Sequence, residues 1–140
     1  MNNINFGRVV LGGLVAGLVL NVGEFLLNDV VLANQMKDFF RRCSIDEPGP
    51  NFIAVAVLMT FIMGLVIVWT YALIRPRLGP GPLTAAVAAL ILWFGAYVYV
   101  GVINGMLFGF PASLLLIVMV WGLVEYVLAA VAGAWVYKEA

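Results

Sequence analysis

A chain of 140 residues that is 65% hydrophobic and only 10% charged, with a mean hydropathy of +1.12, has more apolar surface than a soluble domain of its size can cover. Seven basic residues balance seven acidic ones, so there is no basic patch and no nucleic-acid partner is expected. Histidine is absent and Cys43 stands alone, which excludes an intrachain disulfide and a multi-cysteine metal cluster; neither a metal nor a cofactor is expected.

The first apolar run predicts a helix starting near residue 5 and crossing a membrane by about Val31. Only Arg8 precedes the run and no small-x-small cleavage site follows, so it reads as a retained span and not a secretory leader. Within it lies GGLVAGLVLNVGEFLLND (Gly12–Asp29), where Gly13, Gly17, Asn21, Glu24 and Asn28 follow spacings of four, four, three and four. That spacing places them on one helix face. Small residues there admit another helix closely, and the Asn and Glu side chains can hydrogen-bond across the contact. No Gly or Pro stops the pattern after Val31, and Met36, Phe39 and Phe40 keep an apolar stripe among Lys37, Asp38, Arg41 and Arg42. The helix is therefore expected to run on to about residue 42, or to bend and lie in the membrane interface.

Pro48, Gly49 and Pro50 break the chain, and Asn51 is the expected cap of a second helix over residues 52–74. Its 23 residues span roughly 34 Å, enough for a hydrocarbon core of about 30 Å. RPRLGPGP (Arg75–Pro82) is expected to be a stiff, positively charged turn, with Pro82 in the first turn of a third helix over residues 83–105. The charge-free link NGMLFGF (Asn104–Phe110) follows, then a fourth helix over residues 111–137. Gly122, Glu125, Ala129 and Gly133 make a second small-residue stripe around a second glutamate. The expected fold is a single-domain, all-α, antiparallel bundle of four transmembrane helices. Four spans put both termini on one side, and the Arg75–Arg77 turn, flanked by Trp69, Tyr71, Trp135 and Tyr137, points to cytoplasmic termini in a bacterial inner membrane.

Glu24 and Glu125 are the sharpest chemical features. A carboxylate at a bilayer centre costs at least about 2.5–3.5 kcal/mol, so each must be protonated, paired or hydrated. Counted from the outer edges of their helices, Glu24 lies roughly 6–14 Å deep and Glu125 roughly 21 Å deep, which predicts different levels and no dyad. By depth, Thr60 and Tyr97 match Glu24, whereas Asn21 and Trp93 match Glu125. Trp93, Tyr99, Trp121 and Tyr126, with Tyr97, lie too deep for an interfacial belt and form either core packing or an apolar, aromatic-lined pocket. Gly13, Gly17, Gly122 and Gly133 are candidate helix-packing positions, within the chain or between copies. There is no nucleotide loop, Ser/His/Asp set or metal-ligand spacing, so nothing supports an enzyme.

In its hydropathy plan and in GGLVAGLVLNVGEFLLND, YALIRPRLGPGP and WGLVEYVLAAVAGAWVYK, the chain resembles uncharacterised small four-helix membrane proteins of bacteria, a resemblance that implies no activity or site. It is also similar in plan to small multidrug-resistance transporters, where a first-helix glutamate exchanges protons for cations; that likeness implies the role for Glu24. The chain departs from that family in its long, proline-bounded first loop, in the late position of Glu24 and in lacking the aromatic–glycine signature of the third helix. Two readings follow. One is a structural or accessory protein of the lipid bilayer, binding copies of itself or a larger membrane complex. The other is a small proton-coupled transporter or channel using Glu24 or Glu125, its small-molecule ligand left open. A dry, fully hydrogen-bonded interior favours the first, and a cavity reaching either carboxyl favours the second.

Overall fold

The computed structural model describes residues 4–138, and these are all-helical, with no strand among them. Helix α1 (Phe6–Phe25) opens on Asn5, whose side-chain oxygen accepts from the Arg8 amide at 3.1 Å and satisfies one of the unpaired donors of the first turn. It continues as a π-helical segment, Leu26–Val31, which closes when the Leu32 amide bonds the Leu27 carbonyl at 2.8 Å. The chain bends at Leu32 (φ −106°, ψ 13°) before α2 (Ala33–Cys43). Of the two courses expected over residues 5–42, a continuous helix or a bend, the chain takes the bend, and the stretch is three pieces. A wider turn takes in an extra residue without a Gly or Pro, so the composition carries no mark of it.

Helix α3 (Pro50–Leu78) starts with Pro50 in its first turn and Gly49, not Asn51, at the cap. It runs through Arg75, Pro76 and Arg77, past the expected end at residue 74. Proline in a last turn removes a single helix bond, and Gly79 (φ 83°) then ends the helix, its amide reaching the Arg75 carbonyl at 2.8 Å. Helix α4 (Pro82–Trp93), a second π-helical segment (Phe94–Tyr99) and α5 (Val100–Phe108) follow as one continuous rod. The apolar link expected from Asn104 is therefore helical to Phe108, and the reversal is confined to Gly109 (φ 67°) and the residues leading into α6 (Ala112–Val136). Four stretches, Phe6–Val31, Pro50–Leu78, Pro82–Phe108 and Ala112–Val136, are long and apolar enough to span a membrane.

α1 packs against α3 and α6, and α4 packs against α6 and α3. Absent side chains make the closest approaches. A Cβ on Gly64 would stand 2.5 Å from the Gly13 carbonyl oxygen and 2.6 Å from the Gly17 Cα, so α1 and α3 meet backbone to backbone. On the other side, a Cβ on Gly12 would stand 2.6 Å from the Gly133 carbonyl oxygen. Gly13 faces Leu65 while Gly17 faces Phe61, so α1 and α3 run in opposite directions. Around these crossings the core is aliphatic and alanine-rich: Ala16, Leu20, Ile67, Val68, Ala85, Ala88, Ala89, Ala129 and Ala130 are buried. Large apolar side chains such as Leu18, Phe94, Val120 and Leu128 point outward, the inverse of a water-soluble surface.

Candidate functional site

Glu24 projects from the last turn of α1. One carboxyl oxygen accepts a short hydrogen bond from the Tyr97 hydroxyl, and the other accepts from Asn28 Nδ2 at 3.0 Å. Asn28 Nδ2 also donates to the Glu24 carbonyl at 2.9 Å. The residues that hold this carboxyl lie on the two π-helical segments, Asn28 on Leu26–Val31 and Tyr97 on Phe94–Tyr99. Asn28 lies four residues beyond Glu24, on the face that its spacing predicts, and Tyr97 reaches the same carboxyl from the third span.

Glu125 comes from the middle of α6 and is buried, at 5% exposure. Its carboxyl lies directly over Gly23, where an added Cβ would fall 2.6 Å from the carboxyl carbon. The Trp121 indole N–H lies 3.1 Å from Oε2 of Glu125 and 3.2 Å from the Gly23 carbonyl. The remaining oxygen, Oε1, is buried and has no hydrogen-bond partner among the described residues. A buried acceptor left in this state costs about 1–3 kcal/mol.

Depth counting separates Glu24 from Glu125, yet both line one cavity of about 220 Å³, with Leu20, Met59, Thr60, Met63 and Tyr126. The count assumed that each helix ends where its apolar run ends and stands upright. The register is set instead by the glycines: Gly12 meets Gly133 and Gly23 lies under Glu125, eleven residues along α1 against eight along α6. Glu125 reaches Gly23 with its side chain, which brings it alongside the last turn of α1 that carries Glu24.

The other anticipated residues divide. Thr60 lines the cavity, but its hydroxyl donates to the Ala56 carbonyl at 2.8 Å. Asn21 turns away from Glu125 and donates to the carbonyls of Gly17 (2.9 Å) and Val57 (3.5 Å). The Trp93 indole N–H donates to the Met119 carbonyl at 2.9 Å. Tyr126 stacks edge-on against Tyr97 with centroids 5.2 Å apart, and the Tyr97 ring lies on Gly122, the glycine that makes room for it. Tyr99 is 64% exposed, so the four aromatics do not share a pocket; two residues on from Tyr97, it points outward. Gly13 and Gly17 pack within the chain on α3, and Gly133 packs on α1. Gly23, Leu20, Met59 and Met63 were not foreseen as site residues. For Gly23 the signal was present, a side-chain-free position next to the glutamate.

A second, larger hollow of about 710 Å³ lies between α1 and α6; its surface is almost wholly apolar, and Gly23, Trp121 and Glu125 are in its lining. Glu125 therefore borders both spaces. Among the described residues, no cluster of three or more Cys, Asp or Glu could hold a metal ion. Among the described residues, neither hollow is lined by a lysine or arginine. Compared with protein-family models, curated proteins and solved structures, the chain matches none, so its chemistry is read from this geometry alone.

Proposed function

We propose that this chain is an integral membrane protein, an antiparallel bundle of four spans, that exchanges protons for a small cation at the Glu24–Glu125 cavity. One observation carries the reading: two glutamates line a cavity without a basic residue, and Oε1 of one of them, Glu125, is buried without a hydrogen-bond partner. An intramembrane carboxyl in a cavity is stable neutral, or ionised with a cation beside it, and alternation between those states is the elementary step of exchange. The two glutamates divide the work. Glu24, held by Tyr97 and Asn28, organises the wall, whereas Glu125 has a free acceptor and is the exchanging group.

The accessory reading is supported by the full hydrogen bonding of Glu24 and by its tie between α1 and the third span. It leaves Oε1 of Glu125 unexplained. The amphipathic α2, with Arg41 and Arg42 in its last turn, is assigned to the membrane interface, and both termini to the cytoplasm. Proton flux into proteoliposomes under an imposed pH gradient tests the proposal. Wild-type protein should conduct, Glu125→Gln should be inactive while remaining folded, and Glu24→Gln should keep part of the flux. An amide cannot titrate, so a Glu125→Gln protein with full flux overturns the assignment.

A further inference from the structure

Burial is uneven along the length of the molecule. The buried core ends at Leu20 on α1 and at Ala89 on α4, and it begins at Ile67 on α3 and at Tyr126 on α6. In the antiparallel bundle proposed above these four limits fall near one level, so the core fills the half that carries the termini. Leu27 and Leu32, buried around the bend before α2, stand outside it. The Glu24–Glu125 cavity sits on this boundary. Leu20 and Tyr126 belong to both the core and the cavity lining, and Met63 lies one turn before Ile67. Past the cavity, toward α2, the packing loosens. Every residue of α3 from 50 to 59 except Ala56 is exposed. Farther along, α3 packs on α4, whereas α5, the continuation of that span, packs on α6.

The two directions out of the cavity therefore differ. Toward the termini lie fully buried aliphatic residues, Ala16, Val68, Ala88 and Ala129 among them, and backbones in contact at Gly12–Gly133 and Gly64–Gly13. A core packed to that density admits no water. Toward α2 the polar face of α1 continues from Glu24 to Asn28, one turn on, and only half-buried. The distances agree: Glu24 is seven residues, roughly 10 Å, from Val31 but eighteen from Phe6, and Met59 is nine residues inside Pro50 but nineteen from Leu78. Ionisable side chains within a membrane face protein or water. We infer that the Glu24–Glu125 cavity takes its water from the α2 side of the membrane and is closed toward the termini, so that this conformation gives access from one side alone. The inference rests on the exchange reading for the use of the two carboxyls and names the half that must part for exchange, the one closed by the glycine contacts.

The test is thiol accessibility of the full chain in intact cells and in inverted membrane vesicles, with a permanently charged methanethiosulfonate as the reagent. Cys43 of the wild type, exposed at the end of α2, and Leu78→Cys, exposed at the end of α3, mark the two sides, so the outcome does not depend on absolute orientation. The other variants carry Cys43→Ser. Thr60→Cys and Met63→Cys, both in the cavity lining, should label only from the side that labels Cys43. Ile67→Cys, one turn below Met63 and fully buried, should resist from both sides. Leu128 is exposed on the apolar outer face of α6, where lipid and not water meets it. The thiolate is the reactive form, so Leu128→Cys should label about tenfold or more slower than Thr60→Cys. Labelling of Thr60→Cys and Met63→Cys from the Leu78 side, from both sides or from neither would overturn the inference, as would Leu128→Cys reacting as fast as Thr60→Cys. Proton flux through the wild type separates this result from the exchange reading. One-sided labelling without flux leaves the access route standing and removes the exchange, whereas flux with both cavity cysteines unlabelled does the reverse.

Discussion

Glu24 and Glu125 are chemically identical and differ in what surrounds them, so the same substitution should affect them differently. Glu24 accepts from both Tyr97 and Asn28. Glu24→Ala would strand those donors at a cost of about 1–3 kcal/mol, whereas Glu24→Gln still offers one acceptor and should cost less. Thermal unfolding of the two variants in one detergent checks the order, and equal losses would mean that the hydrogen bonds are not what matters. Gly23 gives a second test at this scale. A Cβ there would lie 2.6 Å from Cδ and 2.8 Å from Cγ of Glu125, and these belong to a side chain that can swing aside. Gly23→Ala should therefore fold, displace the carboxyl and lower proton flux severalfold. A variant with wild-type flux would remove Glu125 from the pathway.

Among the elements, helix contacts depend on backbone atoms that cannot give way. Gly64→Ala would place its new carbon 2.5 Å from the Gly13 carbonyl oxygen, and separating α1 from α3 to relieve it should cost about 1–3 kcal/mol or more. Gly95 is an exposed residue of the second π-helical segment with nothing within 4 Å of an added Cβ, so Gly95→Ala should be neutral or slightly stabilising. A melting temperature that falls for Gly95→Ala and holds for Gly64→Ala would contradict the packing described here. α2 is held by a different kind of contact. The Phe39 ring lies 4.9 Å from Phe110 and 6.2 Å from Phe108, centroid to centroid, so one aromatic cluster ties the helix to the reversal after α5. Phe39→Ala should speed amide exchange in Ala33–Cys43 while leaving the four long helices protected.

For the whole molecule, the open question of orientation reduces to two points on the surface. Cys43 is exposed at the end of α2, and Leu78 is exposed at the end of α3, the far end of the next span. With cytoplasmic termini, a membrane-impermeant maleimide should label Cys43 only from outside the cell. Leu78→Cys in a Cys43→Ser background should label only from inside. The opposite pattern reverses the assignment, and labelling of each site from both sides would indicate two orientations. The end that carries the α3–α4 turn is tied by aromatic contacts as well: the Arg75 guanidinium lies 5.6 Å from the centre of the Tyr137 ring, and Tyr71 meets Tyr137 edge-on.

Hydropathy and composition alone determined the class of fold, because four helix-length stretches of such high mean hydropathy have no other stable environment than lipid or a large core. Glycine spacing likewise exposed Gly13, Gly17 and Gly133 as contact positions, since a missing side chain is visible in one dimension. The sequence also singled out Glu24 and Glu125, as ionisable residues inside apolar runs always stand out. Their meeting was not legible. It depends on the packing of α6 on α1, which seats the Glu125 side chain on Gly23, next to Glu24. A period of 3.6 residues read along the chain cannot register one extra residue in a turn, and the height of a side chain depends on tilt as much as on count. Only tertiary packing, which seats α6 on the glycines of α1, placed two glutamates distant in sequence around one cavity and left one oxygen of Glu125 without a partner.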